Sequence, residues 1–134
     1  MIIKILASTL LLIFSLTTKA EHNSYTCVIK QVIEVKDNGL MDKHEGIYKG
    51  YIGKEFTIDR VSGEMIGDAF ATTYDKTITV IDKGSKDNAY KAIVTSNPPN
   101  IWVKFIVVNE FHKTKIKSFW GTSDTNTILS GQCK

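Results

Sequence analysis

Two cysteines near the ends of the chain constrain its fold more than any other feature of the sequence. Cys27 and Cys133 are the only cysteines among the 134 residues. A disulfide requires Cα atoms about 4.4–6.8 Å apart, so a bridge between these two would bring the start and the end of the domain together. Whether such a bridge persists depends on the redox compartment in which the protein folds.

The first twenty residues have the pattern of a secretory signal peptide. Met1–Lys4 is a short basic start, Ile5–Leu16 is mostly apolar, and Thr18–Ala20 places small residues before the expected cleavage site. The alternative is an uncleaved membrane anchor, but the apolar run is shorter than the roughly 20 residues that span a bilayer. We therefore expect a signal peptide at 1–20 and a single secreted domain at 21–134. That domain would be periplasmic or extracellular, with no stable membrane insertion after cleavage.

Export makes a structural disulfide the expected state of the two cysteines, because the periplasm and the extracellular space are oxidising. The alternatives are a reactive thiol pair or a metal site. The chain has no Cys-x-x-Cys motif and no histidines clustered with the cysteines. A bridge between Cys27 and Cys133 closes a loop of about 100 residues, for which chain entropy predicts roughly 4–5 kcal/mol of stabilisation.

The charge of the chain excludes one class of function. The sequence has 17 basic and 14 acidic groups. Export removes Lys4 and Lys19 and no acidic residue, which leaves 15 basic and 14 acidic groups and a net charge of +1. So small a net charge is not that of a nucleic-acid-binding domain, and we expect no nucleic-acid partner.

The apolar residues alternate with a period of two, which predicts strands. In the first segment, 25–35, the odd positions are mostly apolar, and Asp37-Asn38-Gly39 then gives good turn chemistry. The other predicted strands are 55–60, 64–66, 77–81, 89–95, 101–111, 115–120 and 127–133. In the strand 101–111, Ile101, Val103, Phe105 and Val107 share one face. About eight short strands separated by turns predict an all-β fold.

The cysteines favour a small antiparallel β-barrel over the alternative, a β-sandwich. In an up-and-down arrangement with an even number of strands, the first and last strands run antiparallel and can pair. The start of the first strand then lies beside the end of the last, where Cys27 and Cys133 stand. We therefore predict that the first and last strands pair and are joined by the disulfide.

The segment 40–54 departs from the strand pattern. Its glycines disfavour a regular helix, so a mobile loop or a short helix running into a loop is expected. Tyr48, Lys49 and Tyr51 in this segment are the first candidate partner contacts, because tyrosine beside glycine is typical of binding loops. The alternative is that both tyrosine rings cap an open end of the β core.

A second candidate surface interleaves basic and aromatic residues. Lys113, Lys115, Lys117 and Trp120 could form a contact strip for an acidic partner, and the alternative is a solvated turn between strands. Arg60 is the only arginine. Either it pairs across a hairpin with Glu64, or its planar fork receives a carboxylate of a partner.

No catalytic, cofactor or metal motif is recognisable. His22, His44 and His112 are far apart and lack metal-ligand spacing, and there is no nucleophile elbow, phosphate-binding glycine loop or dinucleotide fingerprint. We therefore expect no catalytic residue, no cofactor and no metal.

The placement of the cysteines resembles that in the periplasmic inhibitors of c-type lysozyme. These are small exported β-barrels with Tyr-x-Cys near the mature start and a cysteine near the end, which Tyr25-Thr26-Cys27 and Cys133 match. The resemblance covers only those two ends. The serine- and glycine-containing loop with which that family blocks its enzyme has no recognisable counterpart, so the resemblance implies a shape and assigns no binding residue.

Taken together, these features predict an exported, non-enzymatic binding protein of the cell envelope. We expect it to recognise another protein, for example by inhibiting or neutralising an envelope hydrolase. Two alternatives stay open: a carrier of a small apolar ligand inside a barrel, and a hydrolase of cell-wall or other polymers that uses a carboxylate pair. The sequence does not indicate an oligomeric state.

Overall fold

The computed structural model describes most of the predicted domain. The described residues are 23–67, 69–72, 76–99, 101–123 and 126–134, with Lys76 described by its backbone alone. The predicted signal peptide, 1–20, and His22 lie outside the described residues.

Within these residues the chain forms nine strands, one 3-10 helix (Ile47–Tyr51) and no α-helix. Every strand pairs antiparallel in one sheet, in the order β4-β3-β1-β9-β8-β7-β6-β5, with β2 also beside β1. The strands are β1 (Ser24–Val35), β2 (Met41–Lys43), β3 (Glu55–Asp59), β4 (Met65–Ile66), β5 (Lys76–Lys83), β6 (Tyr90–Ser96), β7 (Val103–Val108), β8 (Lys117–Thr122) and β9 (Thr127–Cys133). All eight predicted strands are present.

The predicted pairing of the first and last strands is confirmed. Cys27 and Cys133 stand directly opposite each other on β1 and β9 and form a disulfide, with their Cα atoms 3.9 Å apart. The neighbouring residues, Thr26 and Lys134, exchange backbone hydrogen bonds of 3.0 and 2.9 Å. The cysteines are therefore a non-hydrogen-bonded pair, the position in an antiparallel ladder where opposite Cα atoms approach most closely.

A bulge in β1 explains how its alternation changes phase. Tyr25, Cys27 and Ile29 are buried on the inner face, and the pairing with β9 then shifts between Ile29 and Gln31. The extra residue returns Val32, an even position, to the inner face.

The sheet curls into a half-barrel that brings the turn between β3 and β4 against side chains of the edge strand β5. Gly63, in the turn between β3 and β4, has φ +77°, and a Cβ there would lie 2.6 Å from the Ile78 Cγ2 and 3.0 Å from the Val80 Cγ2 of β5. Only glycine fits both this backbone conformation and this close approach. The single sheet follows the barrel prediction and not the sandwich.

Aromatic side chains fill the space inside the curl. Phe56 packs against Phe70 and Phe119 with ring centroids 4.7 and 5.1 Å away, and all three rings are at most 2% exposed. Phe70 comes from the segment that follows β4, which returns to that strand when Thr72 N donates to Met65 O at 3.0 Å.

Two segments differ from the predictions. The segment 40–54 is not wholly loop, because Met41–Lys43 forms β2. This strand pairs with the C-terminal end of β1 before the 3-10 helix begins. The strand predicted at 101–111 is shorter, and it buries Ile106 and Val108, not the face that carries Val103 and Phe105. Its longest apolar stripe therefore lies on the outer surface of the sheet.

Candidate binding surface

A loop leaves the sheet where β2 and β3 share one edge of β1. The residues between them, 44–54, lie beside the middle of β1 and are called the 44–54 loop below. Three backbone bonds hold it there: His44 N donates to Val32 O at 3.2 Å, Gly53 N to Ile29 O at 2.8 Å, and Ile29 N to Lys54 O at 3.0 Å. Because both ends are hydrogen-bonded to β1, the loop is held in place at the edge of the sheet.

The two sides of this loop have different roles. Tyr48 and Tyr51 are half-buried, stand 5.6 Å apart and pack against the core, and His44 meets the Tyr48 ring edge-on at 4.9 Å. Lys49 is exposed and lines a cleft with Ile52. Of the three candidate contact residues of the loop, Lys49 lines this cleft and the two tyrosines do not.

The cleft lies between the 44–54 loop and the outer face of β1, β9 and β8, and has a volume of about 860 Å³. Gly131 and Phe119 belong to its lining. A Cβ at Gly131 would lie 2.0 Å from Val28 O and 2.7 Å from the Phe119 ring, so the absence of a side chain there lets the strands close around the bulge. The polar side chains of the lining are Lys30, Gln31, Lys43, His44, Glu45, Lys49, Ser118, Ser130 and Gln132.

A second depression, the end pocket, lies where β1 begins and β9 ends, and has a volume of about 360 Å³. Four cationic side chains from three parts of the chain and one carboxylate line it: Arg60, Lys115, Lys117, Lys134 and Glu110. The remaining lining residues are Ser24, Tyr25 and Thr26.

Arg60 is held in a defined orientation in the end pocket. Its guanidinium carbon stands 4.9 Å over the centre of the Tyr25 ring, and its Nη2 donates to the backbone oxygen of Lys83 at 3.0 Å. Of the two alternatives for Arg60, pairing with Glu64 does not occur: both residues are described, and they form no ion pair. The stacking leaves further N–H groups of the guanidinium for a ligand.

Tyr25 and Glu110 form the back of the end pocket. The Tyr25 hydroxyl donates to Glu110 Oε2 at 2.9 Å. Burial, together with the hydrogen bond and negative charge of Glu110, raises the pKa of Tyr25 well above its ordinary value, so the hydroxyl remains a donor. Among the described side chains that line this pocket Glu110 is the only carboxylate, and one of its oxygens is thereby already bonded within the protein.

Lys117 is anchored at the side of the same pocket. Its Nζ donates to the backbone oxygens of Glu110, at 2.9 Å, and of His112. An ammonium group has three donors, so one remains for a ligand. His112 itself stacks on Phe111, with centroids 4.6 Å apart.

A third, smaller depression of about 160 Å³ lies next to the other two. It shares Lys30 and Gln132 with the cleft, and Thr26 and Lys134 with the end pocket. The three neighbouring depressions are together called the basic groove below. Within the described residues, its lining includes seven cationic side chains (Lys30, Lys43, Lys49, Arg60, Lys115, Lys117 and Lys134) and two carboxylates (Glu45 and Glu110).

The outer surface of β6, β7 and β8 beside this groove is apolar. Phe105 meets Trp120 edge-on at 5.0 Å, and in the sheet register Phe105 stands opposite Ile93 and Trp120 opposite Val107. Val103 is 51% exposed and Trp120 is 43% exposed. These five residues are called the aromatic face below. It borders the groove, because Trp120 stands opposite Ser130, which lines the cleft.

Comparison with known proteins identifies no relative. No family model, no curated protein and no solved structure matches the chain. The resemblance to lysozyme inhibitors therefore stays one of cysteine placement, and the site has to be interpreted from its own chemistry.

The structure divides the predicted basic and aromatic strip. Lys115 and Lys117 line the end pocket, Trp120 belongs to the aromatic face, and Lys113 is exposed in the turn outside the groove lining. Alternation along β8 is the reason, since Lys117 and Trp120 point to opposite faces of the sheet.

Lys30, Lys134 and Glu110 were not singled out from the sequence. Each is an isolated charge in its own segment, and no local pattern distinguishes it. Only the pairing of β1 with β9 brings Lys30 and Lys134 to the same groove as Lys115.

In the part of the chain that the structure describes, no group of three or more metal-ligating side chains is found. Nor does any helix among those residues have the length and hydropathy to cross a membrane. The His44 ring accepts a hydrogen bond at Nδ1 from Gly46 N at 3.0 Å, which is a local loop contact.

Proposed function

We propose that this chain is an exported, non-enzymatic binding protein of the cell envelope that recognises another protein. The contact surface in this proposal is the aromatic face together with the basic groove. The Cys27–Cys133 disulfide is consistent with an oxidising compartment outside the cytoplasm.

The observation that carries the proposal is the aromatic face. A sheet that buries one face normally places polar residues on the other. Here Phe105 and Trp120 pack against each other on the outer surface, flanked by Val103 and Val107. Contiguous apolar patches rimmed by polar residues mark interaction sites in soluble proteins, and tryptophan is enriched among the residues that dominate binding energy.

The interior of the sheet favours this proposal over a carrier of a small apolar ligand. A carrier needs a hollow core, whereas Phe56, Phe70 and Phe119 occupy the space inside the curl in mutual ring contact. The two larger depressions described above lie at the surface, and charged side chains contribute to the lining of both.

Capture by the immobilised exported protein from an envelope extract tests the proposal. Trp120→Ser and Phe105→Thr remove the aromatic face, and Ile66→Ser is the matched control, because Ile66 is an isolated isoleucine, 66% exposed, on the edge strand β4. We expect wild type and Ile66→Ser to retain the same protein and the two face variants to lose it, with circular dichroism unchanged.

Two results would contradict the proposal. One is retention of the same proteins by wild type and all three variants, and the other is retention of none by wild type. Turnover of a cell-wall glycan in a zymogram would instead show that the protein is an enzyme.

A further inference from the structure

We infer that the basic groove receives an extended acidic segment of the protein partner, with one carboxylate of that segment seated in the end pocket on Arg60 and Lys117. This inference rests on the proposed function and names the chemistry of the partner. It is carried by the geometry of the end pocket, by the charge along the groove and by the groove's length.

Arg60 has the geometry of a receptor for a carboxylate. Arginine binds carboxylates through two parallel N–H donors, and it does so best when its plane is already fixed. The stacking on Tyr25 and the bond to Lys83 O fix that plane before any ligand arrives. Little side-chain entropy is then lost on binding.

The rest of the end pocket adds positive charge without neutralising it. Lys117 is positioned by two backbone oxygens, which carry no net charge, and keeps its third donor. Glu110 is engaged by the Tyr25 hydroxyl. Lys115 and Lys134 also line this pocket, so four cationic side chains and one side-chain carboxylate of the described residues meet there.

The charge of the whole groove extends this preference. Its lining holds seven cationic and two acidic side chains. The side chains that the structure describes include 14 basic and 10 acidic groups, so seven basic and eight acidic groups lie elsewhere among them. The excess of positive charge among the described residues is therefore along the groove, which favours and steers an acidic ligand.

The length of the groove fits an extended polypeptide. It runs along β1 from Ser24, which lines the end pocket, to Val32, which lines the cleft. At about 3.3 Å per residue, these nine residues of strand cover roughly 26 Å, the span of about nine residues of extended peptide. The aromatic face alongside would receive apolar side chains of the same partner, which favours a protein over a uniformly charged polymer.

Fluorescence anisotropy with two labelled nonapeptides tests the inference on the exported protein. One peptide alternates Glu with Ser, and the other has Gln in place of every Glu. We expect the Glu peptide to bind at least about tenfold more tightly than the Gln peptide, since charge-assisted hydrogen bonds are roughly twice as strong as neutral ones. The difference should shrink as salt is added.

Substitutions locate the site. Lys115→Gln should weaken binding of the Glu peptide about threefold or more, whereas Lys113→Gln, the same charge change in the same turn but outside the groove lining, should leave it unchanged. Arg60→Lys keeps the charge and loses the planar fork, so we expect about a tenfold loss of affinity. Melting curves check that each variant folds, and Lys115 is exposed and free of structural hydrogen bonds to the described residues.

Equal binding of the Glu and Gln peptides would overturn the inference. So would equal effects of Lys113→Gln and Lys115→Gln, or tighter binding of dextran sulfate or polyphosphate than of the Glu peptide at matched charge. If partner capture is lost in Trp120→Ser but unaffected by Lys115→Gln and Arg60→Lys, the proposed function holds and this inference fails. If wild type captures nothing, the proposed function fails, and the peptide titrations still decide the chemistry of the groove.

Discussion

The two halves of this sheet share one buried inner face but have different outer surfaces. Over β1 and β9 the outer face is polar and basic and is bordered by the fixed 44–54 loop. Over β6, β7 and β8 it is apolar, with Trp120 and Phe105 in ring contact. The inner face meets one requirement, exclusion of water, so the outer face is where the two halves can differ in function.

The difference suggests a division of labour in binding. Charged groups mainly set the rate of association and the choice of partner, whereas desolvated aromatic side chains supply most of the affinity. On this interpretation the β1–β9 half selects an acidic partner and the β6–β8 half retains it. The disulfide lies under the basic half, so stability and selection are combined there.

Removing the disulfide should have the largest effect and should act unequally on the two halves. We expect Cys27→Ala/Cys133→Ala to lower the free energy of unfolding by about 4 kcal/mol, because the bridge closes a loop spanning 106 residues. Urea denaturation measures this loss. Hydrogen exchange should then accelerate first in β1 and β9, while β6 and β7 keep their protection. Uniform acceleration across the sheet would contradict a separate role for the two halves.

Adding a methyl group to β9 at Gly131 should destabilise the β1–β9 half without changing its charges. The Cβ of Gly131→Ala would meet Val28 O at 2.0 Å and Lys30 N at 3.0 Å, and the backbone on both sides leaves little freedom to move. We expect a loss of about 2–3 kcal/mol in the free energy of unfolding. Gly50→Ala is the control, because no atom lies within 4 Å of its Cβ position. Equal melting temperatures for the two variants would show that the backbone of β1 can move away from a methyl group at position 131.

The sequence predicted the skeleton of both halves for identifiable reasons. Period-two alternation located the strands, and the cysteines selected the β1–β9 pairing, because a disulfide fixes two residues in register. The strand β2 was missed, since Met41–Lys43 is exposed and has no buried side that alternation could reveal.

The surface was less predictable because it depends on contacts distant in sequence. Lys115 was singled out from its own segment, but its companions Arg60 and Lys134 are brought near only by the fold. Likewise, Val103 and Phe105 were identified as part of one face of a strand. Both faces of β7 carry apolar residues, however, so its sequence does not indicate which face is buried. A strand that is buried on both faces and a strand that exposes one apolar face have the same sequence pattern.

Two tyrosines at the junction of the halves should respond oppositely to loss of their hydroxyls. The Tyr25 and Tyr90 rings touch edge-on, 5.4 Å apart. Tyr25 donates to Glu110, whereas the buried Tyr90 hydroxyl has no hydrogen-bond partner among the described residues. Tyr25→Phe should therefore cost about 1.5 kcal/mol, and Tyr90→Phe should be neutral or stabilise by up to about 1 kcal/mol. Chemical denaturation of both variants decides this, and equal losses would refute the asymmetry.

Alkaline pH should weaken this junction gradually. Burial and the nearby Asp59 carboxylate raise the pKa of Tyr90 to about 12, and burial with Glu110 raises that of Tyr25 further, against 10.0 for an unperturbed phenol. Because the folded state holds these protons more tightly than the unfolded state, their contribution is complete below pH 10 and is lost as the pH rises from 10 toward 12. Urea midpoints across that range should fall, and Tyr90→Phe should flatten the decline more than Tyr51→Phe, whose ring is half-buried at the other end of the groove. If the urea midpoint of Tyr90→Phe falls with pH as steeply as that of wild type, the pKa of Tyr90 is not raised by folding.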